Sequence, residues 1–284
     1  MRNFAICINP SFADKQSIFM LLEKLRAGTD IAYYSSWDNQ ELPAGLVSSL
    51  EKGKKKITID CILVFGGDGT ILKAKQLALD TGAPILGINL GYLGFLSESV
   101  LPEIASSLQD LKNGKYKILQ RMLIECQLKR QGVRRFEGLA LNDAVIHKAG
   151  SAGLIHVRIK ASQRYVFDTR CDGVIVCTPT GSTAYSLAAG GPILSPQMKA
   201  MVLSPLNPHI LSMRPMVFPA EEKLSLKVYG LSEPAMLQMD GENSCRLEEG
   251  DEVLITASER SVSFIKLSNR TFFKILRNKL HLGK

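Results

Sequence analysis

No run of apolar residues in this sequence is long enough to cross a bilayer, and Met1 to Pro10 is a short mixed stretch ending in proline, not a basic segment followed by a long apolar one. No membrane partner is therefore expected. Close cysteine pairs are also missing. Cys7, Cys61, Cys126, Cys171, Cys177 and Cys245 lie far apart or in apolar, strand-like contexts, which excludes zinc-finger and C-x-x-C redox spacing and points to buried free thiols in a reducing cytoplasm. His147, His156 and His209 have no mutual spacing suited to metal ligation. There is no internal repeat or low-complexity tract. The G-x-x-x-x-G-K-[ST] loop, a G-x-G-x-x-G turn after a strand and the H-R-D set of protein kinases are all absent, and a dehydrogenase reading loses its main support.

What is present suits an ordinary globular protein: 45% hydrophobic and 22% charged residues leave no compositional case for disorder. At 284 residues the chain exceeds what one core usually organises, so two domains are expected. The formal charge of +8 is scattered. Its densest run, Lys52 with Lys54, Lys55 and Lys56, has no interleaved aromatics and reads as a solvated loop, so nucleic acid is not an expected partner. The nine methionines read as core filler.

Periodicity divides the chain. Phe4 to Ile8, Ile31 to Tyr34, Cys61 to Phe65 and Pro84 to Asn89 read as strands, the last two apolar throughout as in a parallel sheet. Helical spacing separates them: Ile18 to Leu25 after a cap at Asp14, Ile71 to Ala78, and Ile104 to Leu111 between Pro102 and Gly114. From Ile124 onward strand follows strand. Candidates are 124–128, with a Gln131-Gly132 turn after it, then 154–161, 165–170, 174–177, 224–228, 253–257 and 262–267. Phe272 to Leu280 returns to helical spacing. The expected architecture is an α/β domain over 1–118 with a mainly parallel sheet, a β-rich, β-sandwich-like domain over 119–268, and a C-terminal helix, 269–284, packing back on the first domain.

The strongest chemical signal is Val64-Phe65-Gly66-Gly67-Asp68-Gly69-Thr70, where a buried strand ends in three glycines around one carboxylate before a helix. Glycines let a ligand approach the backbone, the helix N-terminus favours phosphate, and an aspartate there can take a hydroxyl proton. The alternative is that Asp68 merely caps the helix. Asn142-Asp143 could pair with adenine or ribose, or form an Asx turn. Arg170 and Asp172 could offer a cationic fork beside an acceptor, or a surface ion pair. Thr180 to Ser186 combines small and hydroxyl residues with Tyr185, suiting close approach and ring stacking, and otherwise reads as a loop entering a short helix.

The Gly66-to-Thr70 turn resembles one shared by NAD kinases, diacylglycerol and sphingosine kinases, and 6-phosphofructokinases. Leu141-Asn142-Asp143 and the long run from Asp172 to Ser186 resemble NAD kinase motifs, as do Gly190-Gly191-Pro192, Pro208-His209, Arg214-Pro215 and Asp240-Gly241. The resemblance implies an ATP- and Mg²⁺-dependent phosphorylation of the adenosine 2′-hydroxyl of NAD, with Asp68 as general base and the metal held through ATP phosphates. It implies NAD or ATP contacts at Gly67, Gly69, Asn142, Asp143, Arg170, Asp172, Thr180, Thr183, Ala184 and Tyr185, continuing through Ser186, Leu187 and Ala188. Gly91 to Leu96 resembles the family's second glycine-rich turn, which would place Phe95 near adenine, against the alternative of core packing. The chain departs from the family pattern at Asp143, where many members carry glutamate, at Glu242, where glutamine is common, and at Gly153, where many place a larger polar side chain near the ligand. Assembly into a homodimer or homotetramer is implied as well. A lipid kinase and a non-catalytic NAD(P)-sensing module are the rival readings.

Overall fold

The computed structural model describes residues 1–35, 46–49, 57–91, 94–150, 153–230 and 234–281. The lysine run at 52–56, and Tyr92 and Leu93 of the second glycine turn, lie outside them. Two compact units emerge: Met1–Gln120 with Val262–Lys284, and Arg121–Ser261.

The first unit opens with strand β1 (Asn3–Ile8), helix α1 (Lys15–Arg26), β2 (Ala32–Ser35) and β3 (Val47–Ser49). Asp14 caps α1 as its sequence position suggests, its carboxylate accepting the Ser17 N–H at 3.2 Å. Next come β4 (Cys61–Phe65), α2 (Asp68–Thr81), β5 (Ile85–Asn89), the two-residue β6 (Ser99–Val100) and α3 (Ile104–Lys112). β3-β2-β1-β4-β5 pair in parallel, with β6 joining β5. Each residue of β4 and β5 is buried, which is why both read as unbroken apolar runs. Helix α2 buries Thr70, Ile71, Ala74 and Ala78, and it stops at Gly82, whose left-handed φ of 72° lets its N–H bond Ala78 O.

The second unit is built of strands: β7 (Lys117–Arg130), β8 (Val133–Ala140), β9 (Asp143–Lys148), β10 (Ile155–Ala161), β11 (Arg164–Cys171) and β12 (Gly173–Cys177). After the short helix α4 (Tyr185–Ala188) come β13 (Ala200–Leu206), β14 (Met216–Pro219), β15 (Leu224–Tyr229), β16 (Ala235–Met239), β17 (Glu242–Leu247) and β18 (Glu252–Lys266). One antiparallel sheet runs β14-β13-β12-β9-β16-β17; β11-β10-β15-β18 and the β7–β8 hairpin supply the other strands. Both groups feed one core, in which Val157, Ile159 and Leu226 meet Ile146, Val176 and Leu203.

Two expectations need correction. The strands read at 253–257 and 262–267 are one, β18, because its polar middle around Glu259 and Arg260 stays extended at the surface. Its last residues, from Val262, belong to the first unit, where Phe264 pairs with Ile85, so the β-rich region ends before 268. Strands β8, β9, β13, β14, β16 and β17 are additions to the sequence reading. The C-terminal helix α5 (Phe272–Leu280) belongs to the first unit, where the Phe272 ring lies 6.4 Å from that of Phe95.

Candidate functional site

Strand β4 delivers the glycine turn. Gly66 N–H donates to Ile88 O at 2.9 Å, the last rung before the chain leaves the sheet. A Cβ on Gly66 would lie 2.4 Å from Thr70 Oγ1, so the packing of the turn on its own helix demands glycine there. The helix cap is Gly67, and Asp68 is the first helical residue. The capping alternative for Asp68 therefore fails. Its half-buried carboxylate accepts two backbone N–H groups instead, from Phe95 at 2.9 Å and Leu96 at 3.1 Å. Gly67 and Gly69 are exposed, and a Cβ on either would meet nothing within 4 Å. Asp68 thus stands between two unhindered glycines, at a helix N-terminus whose dipole favours anions.

In the second unit the organising group is Asp240. It sits with Gly241 in a two-residue hairpin at φ 51° and 72°, the left-handed pair that an Asp-Gly turn favours. Its carboxylate accepts the N–H groups of Leu141 at 2.9 Å, Asn142 at 2.7 Å and Asp143 at 3.2 Å, and its own N–H donates to Asp143 O at 2.9 Å. The Asn142 backbone is clamped further, because Thr178 N–H donates to Asn142 O at 2.8 Å and Thr178 Oγ1 to Leu141 O at 2.5 Å. A Cβ on Gly181 would lie 2.1 Å from Asn142 O, so the run from Asp172 and the Asn142 turn touch where glycine is obligatory. The Asn142 side chain stays half-buried. Asp143 is 5% exposed, and burial, then the neighbouring Asp240 charge, push its carboxyl up to about 7.

Around α4 the predicted residues divide. Tyr185 and Ala188 are exposed, Thr183, Ala184 and Leu187 half-buried, and the Thr180 hydroxyl is buried without a partner. Ser186 departs from expectation: it is fully buried, with its hydroxyl 2.9 Å from that of Ser204. Of the two readings for Arg170 and Asp172, the mutual ion pair is not formed. Strand β11 ends between them at Cys171, and Asp172 is held by Lys148 at 2.7 Å and Asn207 at 2.9 Å, which keep its carboxyl below the usual range. Arg170 is exposed and lines a cleft of about 280 Å³ with His156, Asp168, Thr169, His209 and Ile210. Gly153 stands at φ 75°, a left-handed conformation that favours glycine, and its carbonyl accepts from Lys148 at 3.3 Å. Glu242 is exposed at the start of β17. Phe95 is half-buried, with its ring 6.4 Å from that of Phe272. Among the described residues no three His, Cys, Asp or Glu side chains gather as a metal site.

Sequence reasoning missed what holds these residues: the Asp240 cradle, the Thr178 clamp, and Lys148 and Asn207 at Asp172. Only Asp240 had a local signal, since Asp-Gly between two strand-like runs marks a hairpin.

The fold is that of pyridine-nucleotide kinases. It matches the crystal structure of an NAD kinase from Archaeoglobus fulgidus in complex with ATP at a TM-score of 0.73, with 25% identity and 99% of each chain covered. Yeast NADH kinase complexed with NADH shares the fold at a TM-score of 0.88 and 24% identity, covering 100% of this chain and 88% of that one. The family model of the ATP-NAD kinase N-terminal domain matches residues 47–116, and that of the C-terminal domain residues 141–267. The NAD kinase of Desulforamulus reducens is 42% identical over 221 residues, 78% of this chain and 77% of that one. The NAD kinase of Carboxydothermus hydrogenoformans is 42% identical over 238 residues, 83% and 84% of the two chains. This chain belongs to the NAD kinase family.

Proposed function

We propose that Asp68 is the general base in the transfer of the γ-phosphate of ATP to the 2′-hydroxyl of the adenosine ribose of NAD, forming NADP. One observation carries this role: a half-buried carboxylate fixed at the head of a helix between two exposed, unhindered glycines. Asp68 takes the hydroxyl proton as the oxygen attacks the γ-phosphorus and the bond to the β-phosphate bridging oxygen breaks, leaving ADP. Gly67 and Gly69 let the ATP phosphates approach the backbone N–H groups at the start of α2. Mg²⁺ bound through those phosphates would supply charge neutralisation.

NAD is recognised by the second unit in this reading. The half-buried Asn142 amide and the Asp143 carboxyl pair with polar edges of the nucleotide, and Asp172, aimed by Lys148, accepts from a hydroxyl or amide. Arg170 offers its guanidinium to the pyrophosphate. Tyr185 provides a stacking face beside Thr180, Thr183 and Ala184, and Phe95, Gly153, Leu187, Ala188 and Glu242 complete the contacts. Ser186 contributes by packing.

A homodimer or homotetramer formed through the second unit is supported by its exposed apolar side chains, Tyr185, Met198, Ile210, Leu211, Met216 and Val217. Six free thiols, five of them buried, suit the reducing cytoplasm. The deciding experiment incubates the purified chain with Mg²⁺, ATP and NAD and follows NADP formation, with Asp68→Asn in parallel. NADP from the unsubstituted chain and its loss in the variant, with NAD binding retained, is the expected result; near-normal turnover by Asp68→Asn sinks the base assignment.

A further inference from the structure

The proposed base does not stand alone at the head of its helix. Asp68 Oδ2 accepts the Phe95 N–H and Oδ1 the Leu96 N–H, so two consecutive amides, 27 and 28 residues along the chain, share one carboxylate. The turn that presents them is held from behind. Gly94 N–H donates to the buried Ser97 hydroxyl at 2.7 Å, and Glu98 N–H donates to Gly87 O at 2.9 Å. The third wall of the recess is the missing side chain of Gly94. A Cβ there would lie 2.0 Å from Asp68 Oδ1, 2.6 Å from Cγ and 2.8 Å from Oδ2, all closer than real atoms approach. Gly94 is not among the residues with positive φ, so its backbone conformation does not call for glycine; the carboxylate does.

We propose that Gly94 and the Phe95 and Leu96 amides form a socket that aims Asp68, which makes Gly94 a positioning residue for the phosphoryl transfer; this rests on the reading of Asp68 as base. Each carboxylate oxygen has two lone pairs. One on each is taken by an amide, which holds the side chain in a single orientation, and the others remain for the substrate hydroxyl. A side chain at 94 evicts the carboxylate. Because the atoms in the way are the end of a side chain and not backbone, Asp68 moves and the surrounding turn need not.

The test combines Gly94→Ala with Asp68→Asn and Asp68→Ala in the full chain, reading kcat, KM for NAD and ATP, and the thermal midpoint. Gly94→Ala lowers kcat on the order of 10–100-fold, since a displacement of about 1 Å at a reacting group has an effect of that size. Both KM values stay within about twofold, and the substitution adds no loss to Asp68→Asn. A kcat within about twofold of the unsubstituted enzyme, or the same fractional loss in both backgrounds, overturns the proposal. Should Gly94→Ala not fold, the pairing with Asp68→Ala decides. Removing the carboxylate opens the space, so the double variant folds with a midpoint near that of Asp68→Ala alone; a double variant that also fails to fold overturns the socket. An inactive Asp68→Asn beside a fully active Gly94→Ala removes the socket alone, whereas an active Asp68→Asn removes the base assignment and the socket's role with it.

Discussion

Asp68 and Asp240 each accept backbone N–H groups from a segment distant in the chain, two in the first case and three in the second. Asp240 ties together the hairpin it sits in and the start of β9, and its own N–H returns a bond to Asp143. Asp68 heads a helix beside two glycines with open space around them. The same interaction thus serves different ends. Three donors on one carboxylate clamp the turn at Asn142, while two donors orient a group that still has acceptor capacity. The difference teaches that a carboxylate's role is read from the capacity left after its partners are counted.

The largest effect should separate these roles most sharply. Asp68→Asn is expected to lower kcat by about 10²–10⁴-fold while leaving the thermal midpoint near that of the unsubstituted chain. A fall in stability matching the fall in rate, seen in parallel melting and turnover assays, would make Asp68 structural like Asp240. Asp240→Ala should do the reverse. Stranding three amides is expected to lower unfolding free energy by about 3 kcal/mol or more, with weakened NAD binding as a consequence. Urea unfolding of that variant checks it, and an unchanged midpoint would remove Asp240 as the organising group.

Asp143 sharpens the contrast from the other side, because burial and then the Asp240 charge raise its proton affinity. Its folded carboxyl, at about 7, lies above the ordinary 3.8, so the folded state holds a proton that the unfolded state releases between those values. The stability this contributes is full below the ordinary value and is lost as pH rises through about 7. Asp143→Asn should therefore flatten that decline and stabilise the chain at pH 8 by about 2 kcal/mol, discounted from the full shift. Identical pH dependence of melting in both proteins would contradict it. The smallest effect belongs to Lys148→Met. Its partly exposed pair with Asp172 should be worth about 1 kcal/mol or less in stability, yet the loss of aim at Asp172 should raise KM for NAD. An unchanged KM would leave Lys148 a surface partner only.

Much of the fold was legible because it rests on local rules. The apolar run Cys61–Phe65, the three glycines after it, the Asp14 cap and the helix at Phe272–Leu280 each announce themselves within a few residues. The strands missed, such as β9 and β13, carry within them residues that do not read as strand, Asp143 in the first and Ser204 and Pro205 in the second. At the site, the chemistry-bearing residues could be named, but their partners could not. Arg170 and Asp172 could be read as a fork beside an acceptor or as an ion pair, and no local pattern says that Lys148 holds Asp172.

By itself the sequence determined the division into an α/β and a β-rich region, the glycine-bounded carboxylate and the family resemblance, since composition, periodicity and long motifs are properties of neighbouring residues. Only the tertiary structure decided which donors each aspartate receives, that Ser186 faces Ser204, and that Gly94 is empty for the sake of Asp68. Those contacts join residues tens of positions apart, and no local pattern specifies which distant amide will meet a given carboxylate.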